Sequence, residues 1–224
     1  MIELALNTFN YQEHETVSVE GKRVYKISDE KYYPSITTVL GGTQEPEKKS
    51  TLEAWKARVG SKEAKRIGDA AASRGTNTHL IIECYLRNED PKFETFPPDH
   101  VKMFISLRLQ LKNINKIYGQ EVVLYSDILG VAGRCDLIAE YNGEMTIVDY
   151  KTSTRVKSIN EISDYWLQLA FYLTAHNELY KTNIKKMIIL MGVENALPRV
   201  FKKTIDDELL LKLAERTTEF YANL

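Results

Sequence analysis

Gly130-Val131-Ala132-Gly133-Arg134-Cys135-Asp136-Leu137-Ile138-Ala139-Glu140-Tyr141-Asn142-Gly143-Glu144-Met145-Thr146-Ile147-Val148-Asp149-Tyr150-Lys151-Thr152 is the stretch whose reading decides the fold. Asn142-Gly143, flanked by alternating apolar residues, signals a two-residue β-hairpin, because both central residues of the favoured turn need positive φ. Register follows by counting outward: Tyr141 faces Glu144, Ile138 faces Ile147 and Asp136 faces Asp149. Leu137, Ile138, Ile147 and Val148 are apolar on both strand faces, which predicts a central, buried hairpin. Two carboxylates opposed across such a ladder stand about 5 Å apart at Cβ and repel. Residues two apart share a strand face, so Lys151 joins Asp149. Charges on a central strand are rarely left without partners.

A divalent cation between the two acids would relieve their repulsion. Oxygen-only ligation with room for water and phosphate suits Mg²⁺ rather than zinc, with Mn²⁺ as a substitute. Such an ion polarises a phosphodiester and acidifies a bound water. A neighbouring lysine is a compact charge that can position that water or neutralise charge building on phosphorus. Asp136, Asp149 and Lys151 are therefore the candidate catalytic residues. The plainer alternative is a hairpin with solvated acids, and the apolar flanks argue against it.

A chain of 224 residues, 43% hydrophobic, can bury one sizeable core and fits one domain, or one with an appendage. A formal net charge of −1 gives no global basic field, which counts against a nonspecific duplex binder but leaves room for a basic groove. Cys84 and Cys135 are too few for a disulfide framework or a zinc ribbon, and read as buried thiols in a reducing compartment. With neither a signal peptide nor an apolar run near 18 residues, the expectation is a soluble, cytoplasmic protein without a membrane partner.

Upstream, Thr16 to Ile27 reads as a hairpin turning near Glu20-Gly21, and Ser35 caps a helix that stops at Gly41-Gly42. Ser50 with Glu53 makes a capping box for a helix ending at Gly60, a second helix runs about Ser61 to Ser73, and a third from Gly75-Thr76 to Arg87. Lys48, Lys49, Lys56, Arg58, Lys62, Lys65, Arg66 and Arg74 make this the most basic part of the chain. It is either a phosphate-tracking wall or a solvated face balanced by Glu47, Glu53 and Glu63. His79 and Glu83 share a helix face at i, i+4; by itself such a histidine is more often a satisfied core residue than a ligand. Asp99 caps a helix through Tyr118, and Glu121 heads a strand to Tyr125. After the hairpin come a polar loop with Arg155 and Lys157, a helix from Asp164 to Tyr180, a buried strand at Lys186 to Met191, a further strand at Val200 to Thr204, and a final helix capped by Asp206.

The order Gly-x-x-Gly-x-x-Asp136, hydrophobic-Asp149-x-Lys151-Thr, then Gln168-Leu-Ala-Phe-Tyr172 resembles the RecB-like branch of the PD-(D/E)XK nucleases. Tyr33-Pro-Ser-Ile-Thr, a Trp55-bearing helix and Arg74-Gly-Thr-x-x-His79 extend the likeness toward mitochondrial genome maintenance exonucleases and related phage exonucleases. The resemblance implies an α/β fold with a restriction-endonuclease-like core, in the order αβββαβ, a central mixed sheet flanked by helices. Residues 76–224 would form that catalytic core within a single domain 1–224, with 1–75 an N-terminal hairpin and helical extension. It also implies that Asp136, Asp149 and Lys151 do the chemistry, with Tyr150 and His79 joining the two acids at the metal. Gln168 and Tyr172 would contact substrate, and Glu121 would support the site. The chain's own pattern adds Arg155, in the loop leaving Lys151, and Lys56 and Arg74, on the basic stretch, as phosphate contacts, with Glu83 either a further ligand or a partner orienting His79. Two cysteines exclude the four-cysteine iron–sulfur cluster of some RecB-like nucleases. The implied activity is DNA hydrolysis from single-stranded ends. A structure-specific endonuclease would use the same residues, a non-catalytic single-strand-binding subunit would have lost one of the three, and RNA stays open as a substrate.

Overall fold

Strands Val131–Tyr141 and Glu144–Ser153 meet at a two-residue turn in which Asn142 and Gly143 have φ of 54° and 82°. That is the left-handed pair the turn chemistry demands. The computed structural model describes residues 2–19 and 21–224. Its pairs Tyr141–Glu144, Ile138–Ile147 and Leu137–Val148 follow the register counted from the sequence.

In chain order the elements are β1 (Glu3–Leu4), β2 (Glu15–Val19), β3 (Lys22–Lys26), β4 (Tyr32–Pro34), α1 (Ile36–Gly42), α2 (Pro46–Val59), α3 (Ser61–Leu86), α4 (Pro98–Leu111), β5 (Ile114–Ser126), β6 (Val131–Tyr141), β7 (Glu144–Ser153), α5 (Ser163–Tyr180), β8 (Lys186–Val193), β9 (Arg199–Thr204) and α6 (Asp207–Ala222). The main sheet has the order β1-β5-β6-β7-β8-β9, parallel between β1 and β5 and between β7 and β8, antiparallel elsewhere. A parallel pair needs a crossover, and α5 supplies it between β7 and β8. One face packs α1, α5 and α6 through Ile36, Val39, Ile138, Ile147, Leu169, Phe171 and Leu213. The other packs α3 and α4 through Ile81, Ile82, Phe104, Leu107, Leu137 and Val148. Helix α3, strands β5 to β7, helix α5 and strand β8 give the expected order around a mixed sheet. A small sheet, β2-β3-β4, rests on it where Tyr25 meets Val123 and Ala132. Among the described residues, no helix is long and apolar enough to cross a membrane.

Several boundaries differ from the sequence reading. The helix expected through Tyr118 ends at Leu111, and Ile114 opens β5. The Asn113 amide donates to the Gln110 carbonyl at 3.2 Å and to the Tyr141 hydroxyl at 3.0 Å, closing the helix and pinning it to the hairpin. Register shifts between Ile114 and Lys116 and between Ile117 and Gly119 let Ile114 and Ile117, three apart, face the same core. Bulges have thus produced a helical period in a strand. Two helices expected on either side of Gly75 form one, α3, because a lone glycine costs only about 1 kcal/mol and packing overrides it. The boundary expected between residues 75 and 76 falls inside that helix. Helix α2 starts at Pro46 instead of Ser50, since proline at the first helical position is already set to helical φ. Ser35 caps α1 by accepting from Thr38 N–H, and Asp206 caps α6 through Leu209 N–H. Glu20, half of the expected N-terminal turn, lies outside the described residues; Gly21 has φ 76°.

Helix α2 buries none of its residues, and the first three turns of α3 are equally bare. Together they form an arm rooted by charge. Lys212 pairs with Glu45 at 2.8 Å and Lys48 with Asp164 at 3.4 Å, while buried Arg216 donates to the Leu40 carbonyl, Thr43 Oγ1 and Asp164.

Candidate active site

The strand alternation breaks in the middle of the sheet. Cys135 and Ile138, three residues apart, both face the α5 core, and the β5–β6 ladder passes from Val122–Cys135 to Gln120–Leu137. Between these pairs stand Glu121 and Asp136. Glu121 has φ 53°, in the left-handed region that a non-glycine residue enters at a cost of order 1 kcal/mol. The Arg134 guanidinium donates to its carbonyl at 2.6 Å and holds the kink.

This kink brings His79, Glu121 and Asp136 together, one ligand atom from each lying within 4.8 Å of the others. His79 Nδ1 is 3.6 Å from Asp136 Oδ2 and 4.0 Å from Glu121 Oε1. His79 Nε2 is 2.9 Å from the Tyr150 carbonyl, which assigns the proton to Nε2 and leaves Nδ1 a lone pair toward the acids. The Tyr150 N–H donates to Asp136 Oδ2 at 2.8 Å. One peptide unit on either side of Tyr150 therefore orients two members of the group. The Tyr150 carbonyl keeps a second lone pair, while its hydroxyl is buried without a hydrogen-bond partner among the described residues.

Asp136 and Asp149 do not form the opposed ladder pair that register counting gives. The β6–β7 ladder ends at Leu137–Val148, because the Asp136 carboxylate takes the next strand's N–H. Asp149, wholly buried, turns to Lys151 instead. The Lys151 ammonium donates to Asp149 Oδ1 at 2.7 Å and lies 2.5 Å from Oδ2, out of line for a second hydrogen bond. Gln168 Oε1 also accepts from Lys151 at 3.2 Å, and Gln168 donates to the Tyr172 hydroxyl at 3.0 Å. Tyr172 is buried against the α5 side, where its ring stands over Gly133. A Cβ at position 133 would come within 2.9 Å of that ring. The second glycine of the Gly-x-x-Gly motif is thus a space requirement.

The electrostatics are those of a site short of positive charge. Burial, then the Asp136 charge, pushes the Glu121 carboxyl up to about 7. Burial likewise raises Asp149, against the pull of Lys151. Lys151 loses by burial but gains more from Asp149 and Asp136, so its charge is held above the ordinary lysine range. An imidazole nitrogen and two carboxylate oxygens fit a divalent cation. The set is not oxygen-only, as the hairpin alone suggested: its two carboxylates suit Mg²⁺ or Mn²⁺, while the imidazole nitrogen moves the preference toward transition ions.

Other expected residues lie outside this group. Glu83 turns to Arg87 at 2.6 Å, leaving the Tyr150 carbonyl to orient His79. Arg155 is exposed and forks onto Glu161. Lys56 projects from the arm, and Arg74 is half-buried where α3 approaches Thr152, its Nε without a hydrogen-bond partner among the described residues. Sequence reasoning passed over Arg134 and Tyr165. The Tyr165 ring lies 5.0 Å from the Lys151 ammonium, and its spacing of three from Gln168 was the available signal.

Comparison with known proteins bears on the family and the fold. Mitochondrial genome maintenance exonuclease 1 of Xenopus tropicalis is 27% identical over 172 residues, covering 74% of this chain and 50% of that protein. The human protein of that name is 26% identical over 173 residues, with the same coverage of 74% and 50%. The chain spans about half the length of these curated relatives. A solved structure from Eubacterium rectale, provisionally described as an exonuclease, superposes with a TM-score of 0.50 at 12% identity over 68% of this chain and 65% of that one, a likeness of fold alone. Residues 38–220 match the PD-(D/E)XK nuclease superfamily, and the chain belongs to that family.

Proposed function

We propose that this chain, as a single nuclease domain, hydrolyses phosphodiester bonds in DNA from single-stranded ends, with Mg²⁺ as its cofactor. The observation that carries the reading is the group His79, Glu121 and Asp136 beside the Asp149–Lys151 pair. A divalent cation held by the first three would supply Lewis acidity at the phosphate and a more acidic water. Asp149 keeps the Lys151 ammonium charged and aimed, and Lys151 offsets negative charge developing on the phosphate. Gln168 fixes the same ammonium from α5. The basic arm, with Lys56 and Lys62, tracks the backbone of a single strand. Arg74, at the foot of the arm, meets the phosphate nearest the metal. The exonuclease and single-strand parts of the reading draw support from the names of the relatives and from the arm's charge. Free Cys84 and Cys135 favour a reducing compartment, and we place the protein in the cytoplasm.

End-labelled linear single strands and covalently closed circles, each with Mg²⁺ and with chelator, test the proposal. Release of nucleotides from linear strands only, and only with metal, is expected. Cleavage of closed circles would make the enzyme an endonuclease. Binding without cleavage in Mg²⁺ and in Mn²⁺ would make it a binding subunit.

A further inference from the structure

We infer that Tyr165 is a positioning residue for Lys151, its ring pressing the ammonium onto Asp149 and Gln168; this rests on Lys151 serving the proposed nuclease site. Among the described residues the Lys151 ammonium lies against Asp149, with Oδ2 at 2.5 Å and Oδ1 at 2.7 Å, against Gln168 Oε1 at 3.2 Å, and against the Tyr165 ring, whose centroid is 5.0 Å away. Tyr165 and Gln168 are i and i+3 on α5, so one helix face delivers both the amide and the ring. The far end of the ring is tied down too, because Lys157 donates to the Tyr165 hydroxyl at 2.6 Å. Lys157 belongs to the polar loop that follows β7, so the ring is braced between the catalytic strand and the loop leaving it.

The chemistry explains why an aromatic ring suits this place. Lysine is a point charge on a flexible four-carbon stem, so its ammonium wanders unless several groups converge on it. A ring face attracts that charge through its quadrupole. Unlike a third carboxylate, it adds no lone pair to compete for a divalent cation and no site to accept the proton. The ring therefore fixes position without altering the charge balance of the site.

Removing the ring while keeping an apolar side chain should lower turnover roughly two- to thirty-fold, the range of a cation–π contact between an exposed and a desolvated setting. The test compares Tyr165→Leu and Tyr165→Phe by kcat and KM on end-labelled single strands. In parallel, DNA-free NMR of protein carrying ¹³C-labelled lysine follows the Lys151 ε-CH₂ signal, assigned through Lys151→Arg. Tyr165→Leu should lose kcat with KM unchanged, Tyr165→Phe should keep both, and the upfield ring-current shift at Lys151 should survive in Phe and vanish in Leu. A phenylalanine variant as slow as leucine would shift the role to the hydroxyl and overturn the inference. So would a leucine variant at full speed, or a wild-type Lys151 signal without ring-current shift. That last measurement decides the matter even if the leucine variant unfolds. Wild-type protein that shows the shift but cleaves no DNA would sink the nuclease reading and leave the contact standing.

Discussion

Replacing Glu121 by glutamine should stabilise the metal-free protein above neutral pH. The folded carboxyl sits at about 7 against an ordinary 4.5, because burial and the Asp136 charge oppose its ionisation. A rise of that size corresponds to about 3 kcal/mol at most, and 29% side-chain exposure trims it through solvent screening, so about 1–3 kcal/mol is the working figure. The sign follows from proton uptake. Below about pH 4.5 the group is protonated both folded and unfolded, and it costs nothing. As pH rises toward 7 the unfolded chain releases its proton first, so stability falls across that window and stays low above it. Glutamine has no proton to lose and escapes the penalty. Thermal melts of wild type and Glu121→Gln in chelator should coincide near pH 4.5 and separate by about 2–12 °C at pH 8, given roughly 2–4 °C per kcal/mol at this chain length. Comparing the two proteins cancels what every other titrating group contributes. Mg²⁺ at pH 8 should raise the wild-type melting temperature and move the variant less, since the ion binds only the folded site. Equal melting temperatures at pH 8, or a gap as wide at pH 4.5, would refute the reasoning.

Lys151→Ala should bind DNA nearly as wild type does while turnover falls more than tenfold, a barrier change above about 1.4 kcal/mol. The same variant leaves Asp149 buried without its partner, so melts at pH 8 should show a loss of about 3 kcal/mol. His79→Ala should need more Mg²⁺ to reach full activity; a lower melting temperature with an unchanged Mg²⁺ titration would make His79 a packing residue. Lys56→Glu with Lys62→Glu should weaken single-strand binding and flatten its salt dependence, and an unaltered salt slope would assign both lysines to an ordinary solvated face. Arg66 is the wrong target for that experiment because Glu63 already neutralises it. Gly133→Ala should cost about 1–3 kcal/mol in chemical denaturation, since its Cβ would come within 3.0 Å of Ile36 as well as 2.9 Å of the Tyr172 ring.

Local chemistry that needs one conformation was readable from the sequence. Asn142-Gly143 demanded its turn, Ser35 and Asp206 their caps, and Asp149-x-Lys151 its shared face. What escaped depended on partners distant in sequence. Ile114 and Ile117 carry a helical spacing, and only pairing with β6 turns it into a bulged strand. Glu121 stood at the head of an expected strand with no local sign of a left-handed backbone, yet that kink points its carboxylate at His79. The Asp136–Asp149 pairing failed for a related reason: counting assumes an unbroken ladder, whereas Asp136 takes a backbone N–H from β7.

Helix α2 contributes nothing to the core, so its fourteen positions are almost free of selection for stability. In a core helix a harmful substitution confounds lost packing with lost activity, but along Pro46–Val59 those two causes separate. On the proposed reading of the arm as the strand-guiding surface, a saturation mutagenesis of this segment, scored for activity, would therefore record the demands of the substrate almost alone. Drift and length change should accumulate here faster than in α5, held back only at the root, where Glu45 and Lys48 meet Lys212 and Asp164. The arm is where descendants of this chain have the most freedom to acquire a different substrate while keeping the same catalytic floor.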